Sequence, residues 1–237
     1  MSAAPPPTAA LSSVLQRRLG LRGHCLDGIL PLDTAHCRFA GPAHTVRYLP
    51  LREDLAEAYG PYGTASPFAA AYEATAAGQV VVIAAMGATR SGILGGMIAL
   101  RLQKRGAAGV VCDAGMRDVD EMRGLGMPVF CAGPAPASST TQLMLVDHGG
   151  PVACGGVTIF PGDMIVGDAD GVVVCPAAHW AAACAEVAER EAIEAYVQLR
   201  LQAGHAMGGL YPPTDATRAA FKAWQAAGSP RDNLTPG

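Results

Sequence analysis

Arg117, Asp118 and Glu121 stand together in "GMRDVDEM", directly after the apolar run "GVVCDAG", in a chain of which only 16% of residues are charged. Their types suit one chemistry. Arg can hold a carboxylate or an enolate oxygen with its planar fork, and Asp can bind a divalent cation directly or through water. Arg117 and Asp118 are adjacent, so on an extended or turning backbone their side chains diverge and each is free to serve a ligand. A second reading is structural: Asp118 is a good N-cap, and Glu121 lies three positions later in capping-box spacing. Both readings can hold together.

Ahead of this group, "GATRSGILGG" feeds a segment, 96–104, with helix formers and apolar residues at Met97, Ile98, Leu100 and Leu102. A helix beginning at Gly95 or Gly96 leaves the backbone N–H groups of Gly96, Met97 and Ile98 able to face a small anion such as a carboxylate. The alternative is that the glycines merely let the helix pack closely on a sheet. The loop contains neither G-x-x-x-x-G-K-[ST] nor a clear G-x-G-x-x-G, which argues against nucleotide binding.

The elements that must position these residues are legible as runs. Residues 108–112 read as a buried strand bounded by glycines, with 80–85 and 129–132 as two more. Arg117 to Glu121 therefore follow the C-terminal end of a strand, where open α/β sheets bind ligands. Upstream, "LSSVLQRRLG" reads as a helix closed by Gly20, and 44–49 as an alternating strand. Downstream, 143–175 carries β-branched runs divided by Gly-Gly, Pro-Gly-Asp and Asp-Gly turns, in which turn chemistry accounts for Asp163, Asp168 and Asp170. About 177–203 is a helix with Glu186, Glu189, Glu191 and Glu194 on a solvated face. An α/β first half and an antiparallel, β-rich second half predict a mixed α/β sandwich rather than a doubly wound sheet. A single domain is expected over 11–225, between loose tails at 1–10 and 226–237.

Composition sets the outer bounds. With 50% hydrophobic residues in 237, the chain can bury a substantial core. A net charge of −3 without a Lys/Arg run argues against a nucleic-acid partner. No apolar stretch approaches the roughly 20 residues that span a bilayer, and "MSAAPPPTAALSSVLQRRLG" lacks the features of a signal peptide, so neither a membrane partner nor export is expected and the cytoplasm is the default. Seven cysteines without a C-x-x-C pair suggest reduced thiols, with Cys112, Cys131 and Cys175 packed as small hydrophobes. The six histidines are scattered, and no G-x-S-x-G is present to anchor a hydrolase triad.

"GGMIALRLQKRGAAGVVCDAGMRDVDEMRGLGMPVF", followed by "CGGVTIFPGDMIVGDADGVVVCP", resembles the RraA-like group. That group includes 4-hydroxy-4-methyl-2-oxoglutarate/4-carboxy-4-hydroxy-2-oxoadipate aldolases and the regulator of ribonuclease E activity. The likeness runs from about Leu11 to Trp224 and takes in "LDGILPL" and "FAGPAHTVRYLP". Its core is a Gly, twenty residues, Arg-Asp, two residues and an acid, here Gly96, Arg117, Asp118 and Glu121. The resemblance implies a compact α/β/β sandwich similar to swivelling domains, assembled as a homotrimer or a dimer of trimers with sites at subunit boundaries.

It also implies a pyruvate site served by Mg²⁺ or Mn²⁺. Arg117 would hold the keto or enolate oxygen, and Asp118 would anchor the hydrated metal with Glu121 as a further candidate. Gly95, Gly96, Met97 and Ile98 would surround the substrate carboxylate. The implied activity is that of a lyase on a small 2-oxo acid, by retro-aldol cleavage of a 4-hydroxy-2-oxo acid or decarboxylation of oxaloacetate, both through a pyruvate enolate. The only lysines, Lys104 and Lys222, lie outside the motif, which agrees with metal-dependent rather than imine catalysis. The other role implied is a non-catalytic regulator that binds and inhibits a ribonuclease. One departure stands out: members established as aldolases often carry an acid where this chain has Gly96, leaving Glu121, Asp113 or a neighbouring subunit's acid as candidates to complete the site.

Overall fold

The apolar runs form the parallel centre of a mixed sheet in a computed structural model that describes residues 4–229. Two units make up the chain, residues 1–181 and 182–237. The first opens with α1 (Thr8–Leu19), β1 (Leu30–Pro31), β2 (Phe39–Pro50) and the short helices α2 (Ala56–Tyr59) and α3 (Phe68–Glu73). Then come β3 (Val80–Ala84), α4 (Gly96–Lys104), β4 (Gly109–Cys112), β5 (Gly115–Met116), α5 (Val119–Leu125), β6 (Val129–Cys131) and β7 (Gly133–Pro134). Five further strands follow: β8 (Leu143–His148), β9 (Val152–Cys154), β10 (Val157–Ile159), β11 (Met164–Asp168) and β12 (Gly171–Cys175). Helix α6 (Trp180–Gln202) and α7 (Asp215–Ala226) complete the described chain.

The main sheet has the order β1-β6-β4-β3-β2-β11-β12, with β8 also paired to β2. Strands β2, β3, β4 and β6 run parallel, and β1, β8, β11 and β12 are antiparallel additions. Successive residues of the parallel strands enter two different cores. Val81 and Ile83, Val110 and Cys112, and Val129 and Cys131 share one core with Ala71 of α3, Ala99 and Leu102 of α4 and Met122 of α5. Val80 and Val82, Val111 and Phe130 share the other with residues of β9 to β12. Burial on both faces is why these strands read as continuous apolar runs rather than alternating ones. The result is the α/β/β sandwich.

Within the second core Phe39 and Phe130 meet edge to face with ring centroids 5.4 Å apart. Phe39 lies so close to Gly167 of β11 that a Cβ there would overlap the ring. In the second unit, Tyr196 stacks with Phe221 and Trp224 at centroid distances of 5.7 and 5.2 Å. On α6, Glu189 and Glu191 are exposed and Glu194 accepts from Arg190 at 2.8 Å, in keeping with a solvated face. Among the described residues no helix is long and apolar enough to cross a membrane. The tail from 230 onward lies outside the described residues. Among the described residues none of the seven cysteines forms a disulfide, and Cys112, Cys131 and Cys175 are buried.

Helix α1 begins at Thr8, inside the stretch 1–10 that composition marked as loose. The cause is distant in sequence. Asp168, 8% exposed at the end of β11, accepts from Thr8 N at 2.8 Å and Thr8 Oγ1 at 2.6 Å as well as from Asp170 N at 3.0 Å. Only the last of these is the local turn bond expected of an Asp at a strand end. Asp168→Ala strands two buried donors and is expected to cost about 1.5–3 kcal/mol of stability, measurable by urea denaturation. An unchanged midpoint would show that α1 is not anchored there.

Candidate active site

Three chain segments lie side by side where the parallel strands end. Gly92 N donates to Ala137 O at 2.7 Å, Ile93 N to Gly115 O at 2.9 Å and Ala135 N to Met116 O at 2.7 Å. Arg117 N donates to Leu94 O at 3.1 Å, which sets the arginine against the loop that enters α4. The approach is close enough that a Cβ on Gly92 would stand 2.9 Å from Arg117 Cβ and overlap the carbonyl of Ala135. Gly92 is thus a positioning residue that the sequence reading did not single out, since nothing local distinguishes it from the other glycines of "GATRSGILGG".

Asp113, which follows β4, gives both carboxylate oxygens to the turn after β3. It accepts from Ala85 N at 2.6 Å and from Gly87 N at 3.2 Å, across a turn in which Met86 has φ 60° and Gly87 φ 68°. Burial pushes its pKa up against the opposing pull of those amides. Of the acids named as candidates to complete a metal site, this one is committed to holding the loop.

Asp118 departs from both local readings. It occupies the N-cap position of α5 in the left-handed region, φ 55° and ψ 41°, and its side chain makes no bond to its own helix, so the capping box does not form. Instead Oδ2 accepts from Gly96 N, the first amide of α4, at 3.1 Å. Nor do Arg117 and Asp118 diverge. The left-handed turn folds them over the same glycine, with Arg117 Nε 3.8 Å from Asp118 Oδ2, and a Cβ on Gly95 would overlap that oxygen. Both side chains are nearly half exposed, so this loose pair contributes little by itself.

Glu121, in the first turn of α5, lies over Gly96: a Cβ there would overlap Glu121 Oε2 and come within 3.2 Å of its Cβ. Gly95, Gly96, Arg117, Asp118 and Glu121 therefore come together. Met97 and Ile98 continue into α4, Met97 80% exposed and Ile98 packed on the core. Their N–H groups precede the first intrahelical bond, from Ala99 N to Gly95 O. The arrangement combines a guanidinium, unpaired helix-start amides and two carboxylates, a set able to hold a small anion beside a cation.

The divalent metal implied by the resemblance fits this donor set in one manner only. Among the described residues no three His, Cys, Asp or Glu side chains come together as a metal site. Asp118 and Glu121 supply hard oxygen donors, which suits a hydrated Mg²⁺ or Mn²⁺ held with few protein ligands and does not suit a closed zinc site.

The family model described as RraA-like, Aldolase/RraA, matches residues 8–174. A protein of Halalkalibacterium halodurans named "Putative 4-hydroxy-4-methyl-2-oxoglutarate aldolase" is 42% identical over 107 residues, covering 45% of this chain and 50% of that protein. Protein DlpA of Legionella pneumophila is 32% identical over 158 residues, 66% of this chain and 24% of its own length. The chain thus spans half or less of these two relatives. Among solved structures, an uncharacterized protein from Pseudomonas syringae pv. tomato superposes with a TM-score of 0.76 at 25% identity, covering 91% of this chain and 90% of that one. Streptomyces coelicolor RraAS2, described as an unusual member of the RNase ES inhibitor RraA protein family, gives 0.73 at 34% identity over 81% and 92%. By the extent of the family match and by its fold, the chain belongs to the RraA-like family.

Proposed function

We propose that this protein is a lyase that forms pyruvate enolate from a small 2-oxo acid, by retro-aldol cleavage of a 4-hydroxy-2-oxo acid or by decarboxylation of oxaloacetate, with Mg²⁺ or Mn²⁺ as cofactor. The observation that carries the reading is the convergence of Arg117 with the start of α4 on one accessible spot. The free amides of Met97 and Ile98 take the substrate carboxylate, because the neighbouring Gly96 amide is already engaged by Asp118. Arg117 then donates to the C2 oxygen, where negative charge grows as the C–C bond breaks. A cation held by Asp118 and Glu121 supplies further stabilisation of that charge when bound. The aldolase name of the Halalkalibacterium relative supports the same class of reaction.

The test is pyruvate release from oxaloacetate and from 4-hydroxy-4-methyl-2-oxoglutarate after exhaustive chelation, with and without added Mg²⁺ or Mn²⁺. Cation-dependent release is expected. A second reading, a regulator of a ribonuclease, is favoured by the description of the Streptomyces structure. No release from either substrate, together with inhibition of ribonuclease cleavage, would establish that reading instead.

Gly96 offers a separate check on the cation. It lies in α4 outside the left-handed region, and the atoms nearest to a Cβ there all belong to Glu121, whose carboxylate is the far end of a side chain that can turn aside while its Cβ stays at 3.2 Å. Mn²⁺ binding to the parent is expected to be weak and to tighten with oxalate, which brings two oxygens of its own. Gly96→Asp adds a third carboxylate and should tighten Mn²⁺ binding in the free protein on the order of tenfold, read by calorimetric titration. Tight binding by the parent that oxalate leaves unchanged would place the cation elsewhere.

A further inference from the structure

A second group of reactive side chains gathers under α1, independent of the site described above. Ser12 Oγ lies 2.8 Å from His24 Nε2 and 3.5 Å from Cys25 Sγ, forming a chain from thiol to hydroxyl to imidazole. The backbone holds this group in place. Leu26 N donates to Val172 O at 3.0 Å and Val174 N to His24 O at 2.8 Å, so Cys25 sits bridged opposite Val173 of β12. His24 is 5% exposed, whereas Cys25 is the one exposed cysteine of the seven. Five others are buried and Cys184 is intermediate.

The imidazole is placed to relay a proton from the Ser12 hydroxyl, as a weaker base than a free imidazole. Burial lowers its pKa, and the backbone near Leu21 and Ser12 only partly offsets this, while Nδ1 meets no partner at normal hydrogen-bond geometry. The ring is therefore neutral around pH 7, with Nε2 able to accept from the Ser12 hydroxyl, whose oxygen can in turn accept the Cys25 S–H. Ser12 and Cys25 open onto a cavity of about 260 Å³. Asp27 and Asp170 also line it, and none of the described residues lining it is basic.

We propose that Cys25 is a modification site that undergoes thiol–disulfide exchange with a small cationic disulfide seated in this cavity. The Cys25 S–H bond breaks as its proton passes to the Ser12 oxygen while the Ser12 proton passes to His24 Nε2. The Cys25 sulfur then forms an S–S bond to one sulfur of the incoming disulfide, whose own S–S bond breaks. The departing thiolate takes the proton back from His24 and leaves as a thiol, so Cys25 is oxidised and the departing sulfur reduced. The two aspartates attract a cationic reagent and repel an anionic one.

The experiment follows the intact chain by mass spectrometry with peptide mapping, using cystamine as the cationic disulfide and oxidised glutathione as the anionic one. Cystamine is expected to modify Cys25 before Cys184, and faster than oxidised glutathione does by about tenfold at low salt. Ser12→Ala should slow the reaction on the order of tenfold or more. His24→Gln should do the same, and because His24 is buried, Ser12→Ala with an unchanged melting temperature is the deciding variant. Equal rates for parent and Ser12→Ala, or modification of Cys184 ahead of Cys25, would overturn the proposal. Equal rates for the two disulfides would overturn the assignment of a cationic partner.

Discussion

Arg117→Ala is expected to lower kcat for pyruvate release by about 10²- to 10³-fold, the loss typical when one preorganised donor to a developing oxyanion is removed. The fold should survive. The backbone at this position is held by its own bond to Leu94 O, and the side chain is nearly half exposed, so truncation neither breaks the ladder nor empties a core. The loss should fall on kcat and kcat/KM together, since the donor meets a charge that is fully developed only in the transition state. Arg117→Lys should recover little, because an ammonium on a flexible stem does not reproduce the planar fork. Steady-state kinetics at matched cation concentration decide the matter, and equal activity of parent and Arg117→Ala would remove Arg117 from the mechanism.

Phe130→Ala is expected to have the largest effect on stability, about 3–5 kcal/mol lost. The ring is fully buried in β6, meets Phe39 edge to face, and belongs to the core between the parallel strands and β9 to β12. Collapse of the resulting void is opposed on several sides. Phe39 is already seated against Gly167 and within 3.4 Å of where a Cβ of Gly109 would lie, and Val80, Val82 and Val111 belong to strands locked in the sheet. Chemical denaturation measures the change, and a loss below about 1 kcal/mol would mean that the site relaxes to fill the space.

Much of the parallel centre was legible because its signals are local. Helix α4 has the bounds expected for it, 96–104, and β3, β4 and β6 fall within a residue of the runs that marked them. Two-sided burial makes each strand uniformly apolar, and glycines punctuate the ends. Alternation in the sequence marks only 44–49 of β2, yet the strand begins at Phe39. Its first residues are strand because Phe39 to Pro42 pair with β11, more than a hundred positions away.

The candidate site was legible as a set of residue types and less so as geometry. "RDVDE" marks Arg117, Asp118 and Glu121, but nothing in those five residues discloses that Asp118 turns left-handed toward the amide of Gly96. Capping statistics favour its own helix, and the tertiary alternative wins because α4 presents an unpaired N–H at the same place. The pairing of β2 with β8 likewise brings His44 and His148 within 5.8 Å, although their spacing in the chain suggests no relation.

The bond from Gly96 N to Asp118 has a thermodynamic consequence for an anion large enough to reach that amide as well as those of Met97 and Ile98. A ligand needing that amide binds only the fraction of molecules in which Asp118 has let go, so its apparent dissociation constant exceeds the intrinsic one by the reciprocal of that fraction. Whatever draws Asp118 away enlarges the fraction and strengthens the binding of such an anion by the same factor with which the anion strengthens that second ligand's hold on Asp118. For two such ligands one aspartate would couple the binding equilibria, each acting as the effector of the other, through a single exchange of hydrogen-bond partner.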